Sequence, residues 1–246
     1  MSAFFRPHFH RQIDSTNSEA RRLAATDAAE GALVVAEEQT AGRGSRGRSW
    51  SSPAGNLYLS LLLRPDCAPA AAGQLSFVAA LALADAVEAW LPQGPRPRLK
   101  WPNDVLVDGR KLAGILLESA MHAGRVDWVA VGIGVNLASH PEGATWPATS
   151  LAALGARIEP AAALATLARA LEARYRQWRA EGFAPIRADW LARTLGQGET
   201  VTVALGREQV TGRFDDVDGE GALVLALPDG RRRRIASGDV FFARAA

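Results

Sequence analysis

Residues 42–48 carry the strongest chemical signal in the chain, because three glycines and three arginines surround one serine. Glycine lets backbone approach a ligand closely, and arginine forms paired hydrogen bonds with phosphate or carboxylate groups. Gly42, Gly44 and Gly47 also match the spacing of a dinucleotide-binding loop, but that loop must run into a helix. Residues 50–56, with Pro53 and Gly55 among them, cannot form a helix interior. We therefore interpret the segment as an anion-binding loop.

Mutual repulsion of the arginines predicts that this loop is disordered until a ligand binds and then closes over it. A second constellation comprises residues 100–104, Lys-Trp-Pro-Asn-Asp, followed by Lys111 at the start of an apolar strand that runs to Glu118. The two constellations together favour one anion site. The alternatives are a solvated loop at 42–48, a simple turn at 100–104, and a lysine at 111 that only snorkels to solvent.

The apolar patterns indicate the elements that must position these residues. They predict strands near residues 4–13, 32–36, 57–63, 98–107, 111–118 and 127–137, and helices over 19–25, 77–91 and 160–178. Ser15 or Thr16 is expected to cap the first helix. Beyond Gly196 only short alternating strands remain. The prediction is an α/β fold, with a mixed sheet and flanking helices in residues 1–195 and a small β-barrel in 196–246.

Composition places the chain among soluble globular proteins. A net charge of +2 in 246 residues does not indicate nucleic-acid binding, and the single cysteine, Cys67, fits a reducing compartment, so we expect a cytoplasmic protein. The apolar stretch 75–91 contains Asp85 and Glu88, which predicts a buried helix and no association with a membrane. The run Arg231–Arg234 is read as a solvated strand edge, with recognition of RNA or protein as the alternative.

Six segments in this order resemble the biotin–protein ligase family. They are residues 15–17, 38–44, 100–104, 111–116, 131–136 and 149–151. Residues 237–240 also resemble the family's C-terminal domain. The resemblance implies a class II synthetase-like, SH2-like catalytic domain, followed by an SH3-like β-barrel. It is to the monofunctional type, because Ser15 lies too near Met1 for a preceding helix-turn-helix, so we expect no DNA binding.

The resemblance also implies an activity: ATP and Mg²⁺ activate biotin as biotinyl-5′-AMP, and biotin then passes to a lysine of a biotin carboxyl carrier protein. Because two anions meet in the first step, cations are needed at the forming bond. Arg43 and Lys111 are the implied catalytic residues, and Asp104 is a candidate Mg²⁺ ligand. The residues implied to bind biotin or the adenylate are Ser15, Thr16, Asn17, Gln39, Arg43, Gly44, Ser45, Trp50, Lys111, Gly114 and Asn136.

One position departs from the family pattern. The family loop reads Gly-Arg-Gly-Arg, whereas Ser45 stands here at the second arginine. We expect activity to be retained, with Arg46 or Arg48 compensating and with faster loss of the free adenylate. Lipoate–protein ligases or acyltransferases share the architecture and are the nearest alternative, and a non-enzymatic RNA- or protein-binding module is another. Biotin-dependent exchange between ATP and pyrophosphate separates these possibilities.

Overall fold

The strands of this protein form two separate sheets. The computed structural model describes residues 2–144 and 146–242. The larger sheet has the order β1-β2-β3-β7-β6-β5-β4, and β1 lies parallel to β2 while the other neighbours are antiparallel. Its strands are β1 (Arg6–Ile13), β2 (Ala32–Gln39), β3 (Leu57–Leu63), β4 (Arg98–Lys100), β5 (Asp104–Val107), β6 (Arg110–His122) and β7 (Arg125–Val135). This mixed sheet confirms the predicted fold class.

Helices cover both faces of the larger sheet. They are α1 (Thr16–Ala25), α2 (Pro69–Ala72), α3 (Leu75–Trp90), α4 (Pro160–Glu181) and α5 (Phe183–Arg193). Strand β3 is buried throughout, and its side chains alternate between two layers. Leu59 and its alternate neighbours belong to the main core with α3 and α4, whereas Leu62 packs with α1. Ser60 therefore points to the α1 face, where the candidate site lies.

Helix α3 is the centre of the main core. The segment Pro69–Trp90 is long and apolar enough to cross a membrane by composition alone, but 78% of its most apolar window is buried within the protein. One of its two partly buried acids, Asp85, pairs with Arg174 of α4 and Arg193 of α5. The burial confirms the predicted core helix. Helix α5 was not predicted, and Pro185, a residue that usually interrupts helices, lies in its first turn.

A five-stranded antiparallel sheet forms the predicted C-terminal β-module. Its strands are β8 (Thr200–Leu205), β9 (Glu208–Val217), β10 (Leu223–Ala226), β11 (Arg232–Ile235) and β12 (Asp239–Phe242), in the order β11-β10-β9-β8-β12. Buried contacts join this sheet to the rest of the protein. The indole of Trp101, which is 2% exposed, donates a hydrogen bond from Nε1 to the carbonyl of Gly221 at 3.0 Å. Strand β12 thus has a fixed position beside the larger sheet.

The predicted N-cap position of α1 is confirmed, but its side-chain hydrogen bond is absent. Ser15 does occupy the N-cap position, but neither it nor Thr16 forms a capping hydrogen bond from its side chain. The hydroxyl and backbone N–H of Thr16 both contact Oε1 of Gln39 instead, at 3.1 and 2.8 Å. Gln39, a partner from another element, therefore takes the place of a local cap. Ser15 and Thr16 are both buried and line a cavity.

Candidate functional site

A cavity of about 490 Å³ opens between the larger sheet, the Gly–Arg loop (residues 42–48) and strand β12. All of the predicted site residues line it, so the fold brings the separate sequence segments together. They are Ser15, Thr16, Asn17, Gln39, Arg43, Gly44, Ser45, Trp50, Asp104, Lys111, Gly114 and Asn136. Arg43 and Lys111 therefore share one cavity, as their pairing in a single anion site requires.

Glycines on β6 and β7 form the floor of the cavity. Gly114 pairs with Gly134 across the two strands, and both lie under the indole of Trp50. A methyl group at Gly134 would come within 2.6 Å of the Trp50 ring, and one at Gly132 would come within 2.2 Å of Oδ1 of Asn17. Side chains other than hydrogen are thus excluded at these positions, which explains why a strand otherwise rich in valine contains two glycines.

Neutral hydrogen-bonding groups occupy the α1 end of the cavity. Gln39 accepts from Thr16 and donates to Oγ of Ser52 at 2.8 Å. Asn17 accepts from Oγ of Ser60 at 2.5 Å and donates to Glu118 at 2.8 Å. These groups are largely buried and hold one another in place. This end of the cavity is suited to an uncharged polar ligand group.

Cations gather towards the other end, beginning at Glu118, whose Oε2 accepts hydrogen bonds from both Asn17 and Arg43. The Arg43 guanidinium contacts the Glu118 carboxylate at 2.8 Å, and the Lys111 ammonium contacts Oδ1 of Asp104 at 2.5 Å. Lys100 lies 3.7 Å from Asp104 and is 7% exposed. Burial lowers the pKa of the Lys100 ammonium, while the Asp104 carboxylate opposes that effect. This end can stabilise negative charge that develops on a bound carboxylate or phosphate.

Asp104 does not fit the predicted role of a metal ligand. Its carboxylate already lies between Lys100 and Lys111, whose positive charges oppose a bound cation. Across the described ranges, 2–144 and 146–242, no cluster of three or more His, Cys, Asp or Glu side chains could hold a metal ion. The carboxylate is better placed to orient the two ammonium groups.

The side-chain amide nitrogen of Asn136 donates to two backbone carbonyls. The side chain donates to the carbonyl of Thr149 at 3.0 Å and towards that of Lys111 at 3.5 Å, and it is 2% exposed. It therefore joins the end of β7 to the start of β6. The predicted contact with adenine is left to its amide oxygen and stays a prediction.

The Gly–Arg loop has a defined conformation in this structure. Residues 43 and 49 form a β-bridge, and the indole of Trp50 packs on the floor. The Trp50 Nε1 hydrogen is buried and has no hydrogen-bond partner in the described part of the chain. The expected disorder of the ligand-free loop stays a prediction.

Sequence reasoning did not name several lining residues as part of the site. They are Lys100, Asn103, Trp146, Asp239 and Phe241, among others. Lys100 and Asn103 stand within the quoted motif at 100–104, which was a usable signal. Asp239 and Phe241 come from the C-terminal sheet, and only the tertiary structure brings β12 to the cavity. The ammonium of Lys100 lies 4.6 Å from the ring centroid of Trp146.

The arginine run at 231–234 lies away from the cavity, and each of its members pairs with an acid of its own module. The pairs are Arg231–Asp229, Arg232–Asp215, Arg233–Glu208, and Arg234 with both Asp218 and Glu220. Local carboxylates therefore compensate these charges on the edge strand β11. This arrangement supports the interpretation as a solvated edge over recognition of RNA.

The fold and the cavity define an α/β ligase-type domain with an appended β-sheet module, and the comparisons with known proteins agree. The model of the biotin/lipoate A/B protein ligase family matches residues 9–136, and that of the biotin protein ligase C-terminal domain matches residues 197–243. The chain belongs to the biotin protein ligase family. This confirms the resemblance found in the sequence.

Relatives match over nearly the whole chain. The biotin–[acetyl-CoA-carboxylase] ligase of Paracoccus denitrificans is 48% identical, over 94% of this chain and 98% of its own length. The Bacillus subtilis bifunctional ligase/repressor is 37% identical, over 94% of this chain and 72% of its own length. The structure of Aquifex aeolicus biotin protein ligase in complex with biotin and ATP has a TM-score of 0.81 and 28% identity, covering 97% and 99% of the two chains.

Proposed function

We propose that this chain activates biotin with ATP and transfers it to a lysine of a biotin carboxyl carrier protein. The observation that carries the proposal is one cavity with a neutral hydrogen-bonding end and a cationic end. Biotin has the matching polarity, because its bicyclic head is uncharged and its tail ends in a carboxylate. Relatives named as biotin–[acetyl-CoA-carboxylase] ligases support the same substrate and the same class of carrier.

In the proposed first step, a biotin carboxylate oxygen attacks the α-phosphorus of ATP. A P–O bond forms, the bond to the β-phosphate breaks, and pyrophosphate leaves. Arg43 and Lys111 stand at the cationic end and reduce repulsion between the two anions. Thr16, Asn17 and Gln39 then orient the ureido and thiophane end of biotin. Mg²⁺ belongs to the proposal only as part of the ATP substrate, because Asp104 is occupied by lysines.

In the second step, the ε-amine of the carrier lysine attacks the acyl carbon of biotinyl-5′-AMP. An amide bond forms, the mixed anhydride bond breaks, AMP leaves, and the amine loses a proton. A closed Gly–Arg loop would shield the anhydride from water until the carrier arrives. Trp50, packed on the glycine floor, would cover the intermediate.

We also propose that residues 1–195 form the catalytic unit and 196–246 the C-terminal β-unit. The separate sheets support a boundary near Gly196, as does the family model that begins at residue 197. The lone cysteine, half-buried, supports a cytoplasmic location. The predicted lack of a DNA-binding role stays a prediction.

Exchange of labelled pyrophosphate into ATP tests the activation step. We expect exchange that depends on biotin, and exchange with lipoate at less than about a hundredth of that rate, because the polar groups around Thr16 and Gln39 would be left unpaired. Mass spectrometry of an apo carrier protein then tests transfer, with a lysine-to-arginine carrier as its control. Equal exchange with lipoate, or none with biotin, would refute the proposal.

A further inference from the structure

The three arginines of the Gly–Arg loop divide between two carboxylates. Arg43 points inward and pairs with Glu118 at 2.8 Å. Arg46 and Arg48 both pair with Asp239, at 2.6 and 3.1 Å. Asp239 belongs to the C-terminal sheet and lines the same cavity. The loop is thus tied at one end to the larger sheet and at the other to the β-module.

Strand β12 presents Asp239 from a fixed position. Asp239 pairs with Ala204 of β8, and the next residue, Val240, is 2% exposed in the core of the module. The ring of Phe242 packs edge-on against Trp146, with centroids 5.8 Å apart. Because side chains alternate along a strand, Asp239 and Phe241 face the cavity while Val240 faces the core. The carboxylate therefore does not depend on the loop for its own placement.

The backbone of the Gly–Arg loop is strained at Arg46 and needs contacts such as the one with Asp239 to hold it. Arg46 has φ of 58° and ψ of 41°, in the left-handed region that disfavours residues with a Cβ atom. Such a conformation persists only when surrounding contacts hold it. The contacts at Arg46 are the ion pair with Asp239 and a hydrogen bond to Oγ of Ser237 at 3.4 Å. Both come from the C-terminal β-module.

The charges of Arg46 and Arg48 also favour a shared contact with Asp239. Two neighbouring guanidiniums repel each other, and one carboxylate between them removes that repulsion while leaving a net positive charge. The Arg48 guanidinium also donates to Oγ of Ser45 at 2.7 Å. Ser45, at the position where the family loop has an arginine, thus binds Arg48, and Arg48 itself pairs with Asp239. The loop can close without losing its attraction for a phosphate.

We infer that Asp239 is a positioning residue of the proposed reaction: it holds the Gly–Arg loop closed through Arg46 and Arg48, so that the β-module is part of the lid over the adenylate. The inference rests on the proposed function for its catalytic consequence only. The tether itself is a physical contact that can be measured without any substrate.

The test uses the full chain with Asp239→Asn, Asp239→Glu and, as a matched control, Asp229→Asn, which removes a carboxylate that pairs with Arg231 in a turn away from the cavity. We expect Asp239→Asn to accelerate tryptic cleavage after Arg46 and Arg48 by about 3- to 10-fold, the effect of losing two partly exposed ion pairs. Release of free biotinyl-5′-AMP without a carrier should rise by a similar factor. The melting temperature should match that of the control, and Asp239→Glu should restore wild-type behaviour.

A double-mutant comparison isolates the contact. In a chain that carries Arg46→Gln and Arg48→Gln, the further change Asp239→Asn should add less than about twofold to cleavage after Arg43 and to adenylate release. An additional effect of the original size would overturn the inference, as would equal behaviour of Asp239→Asn and Asp229→Asn. If the wild-type chain shows no biotin-dependent exchange, the proposed function fails, but the proteolysis arm still decides the tether.

Discussion

The two ends of the cavity are built from different kinds of interaction. At the floor, Gly132 and Gly134 lie in the central strand β7, and Asn17 above them is buried and accepts a hydrogen bond from Ser60. The cationic end forms the rim of the cavity. There Arg43 and Lys111, whose side chains are 37% and 24% exposed, are held by ion pairs. Buried backbone has one arrangement, whereas partly exposed ion pairs can exchange one anionic partner for another.

This difference matches what each end must do. A neutral ligand group is selected by fixed donors and acceptors, which lose affinity when a partner is absent. A phosphate is captured by cations that can leave Glu118 or Asp104 when a stronger anion arrives. The floor is therefore expected to set specificity for biotin, and the rim is expected to set the rate of activation and the retention of the adenylate.

The largest effect should come from the rim cation nearest the floor. Lys111→Met removes the ammonium that contacts Asp104, and we expect the rate of biotin-dependent pyrophosphate exchange to fall by about 10²- to 10³-fold. Biotin affinity should change much less. Arg110→Met is the matched control, because Arg110 is adjacent and exposed but does not line the cavity. If biotin affinity fell by the same factor as the exchange rate, the proposal that the rim sets the rate and the floor sets specificity would be contradicted.

A methyl group on the floor tests the other half of the comparison. Gly132→Ala would place Cβ within 2.2 Å of Asn17 Oδ1 and displace the amide from Ser60 and Glu118. We expect biotin to bind about 10- to 100-fold more weakly by calorimetry. At Gly219 a Cβ meets open space, so Gly219→Ala should bind biotin normally. Unchanged affinity in Gly132→Ala would show that the floor does not select the ligand.

Restoring the family's arginine sharpens the account of the rim. Ser45→Arg adds a guanidinium where the adenylate is expected, and release of free biotinyl-5′-AMP should slow by about 2- to 5-fold. Gln209→Arg adds the same charge on an exposed part of β9 and should have no effect. If Ser45→Arg leaves release unchanged, Arg46 and Arg48 already provide full retention, and the proposed cost of Ser45 is rejected.

The smallest expected effect is on thermal stability, and it concerns Asp14, directly before the N-cap residue of α1. Arg22 holds the pKa of the Asp14 carboxyl at about 2, below its ordinary value of 3.8. Because the folded-state pKa is the lower one, the pair stabilises the fold above pH 3.8 and loses that contribution as the pH falls through about 2. Relative to Asp14→Asn, the wild type should melt higher at pH 6, and the two should converge once the pH lies below about 2. A gap of undiminished size below that pH would contradict this assignment.

Sequence reasoning was strongest where a local pattern decides the outcome. The apolar runs at 57–63 and 77–91 and the glycine–arginine loop each predicted an element or a site segment that the structure contains. It missed α5, whose first turn contains Pro185, and it did not foresee that Thr16 would bind Gln39 from another element. The Mg²⁺ role of Asp104 stays a prediction, although Lys100 and Lys111, its near neighbours in sequence, pair with its carboxylate.

What the sequence alone determined was the set of chemical groups and the elements that carry them, since periodicity, glycine content and charge are local properties. Only the tertiary structure decided which of these groups meet. Asp239 lies 191 residues after Arg48, yet the packing of the C-terminal sheet brings the two into contact. No local pattern encodes that pairing, because it depends on how two independently formed sheets pack together.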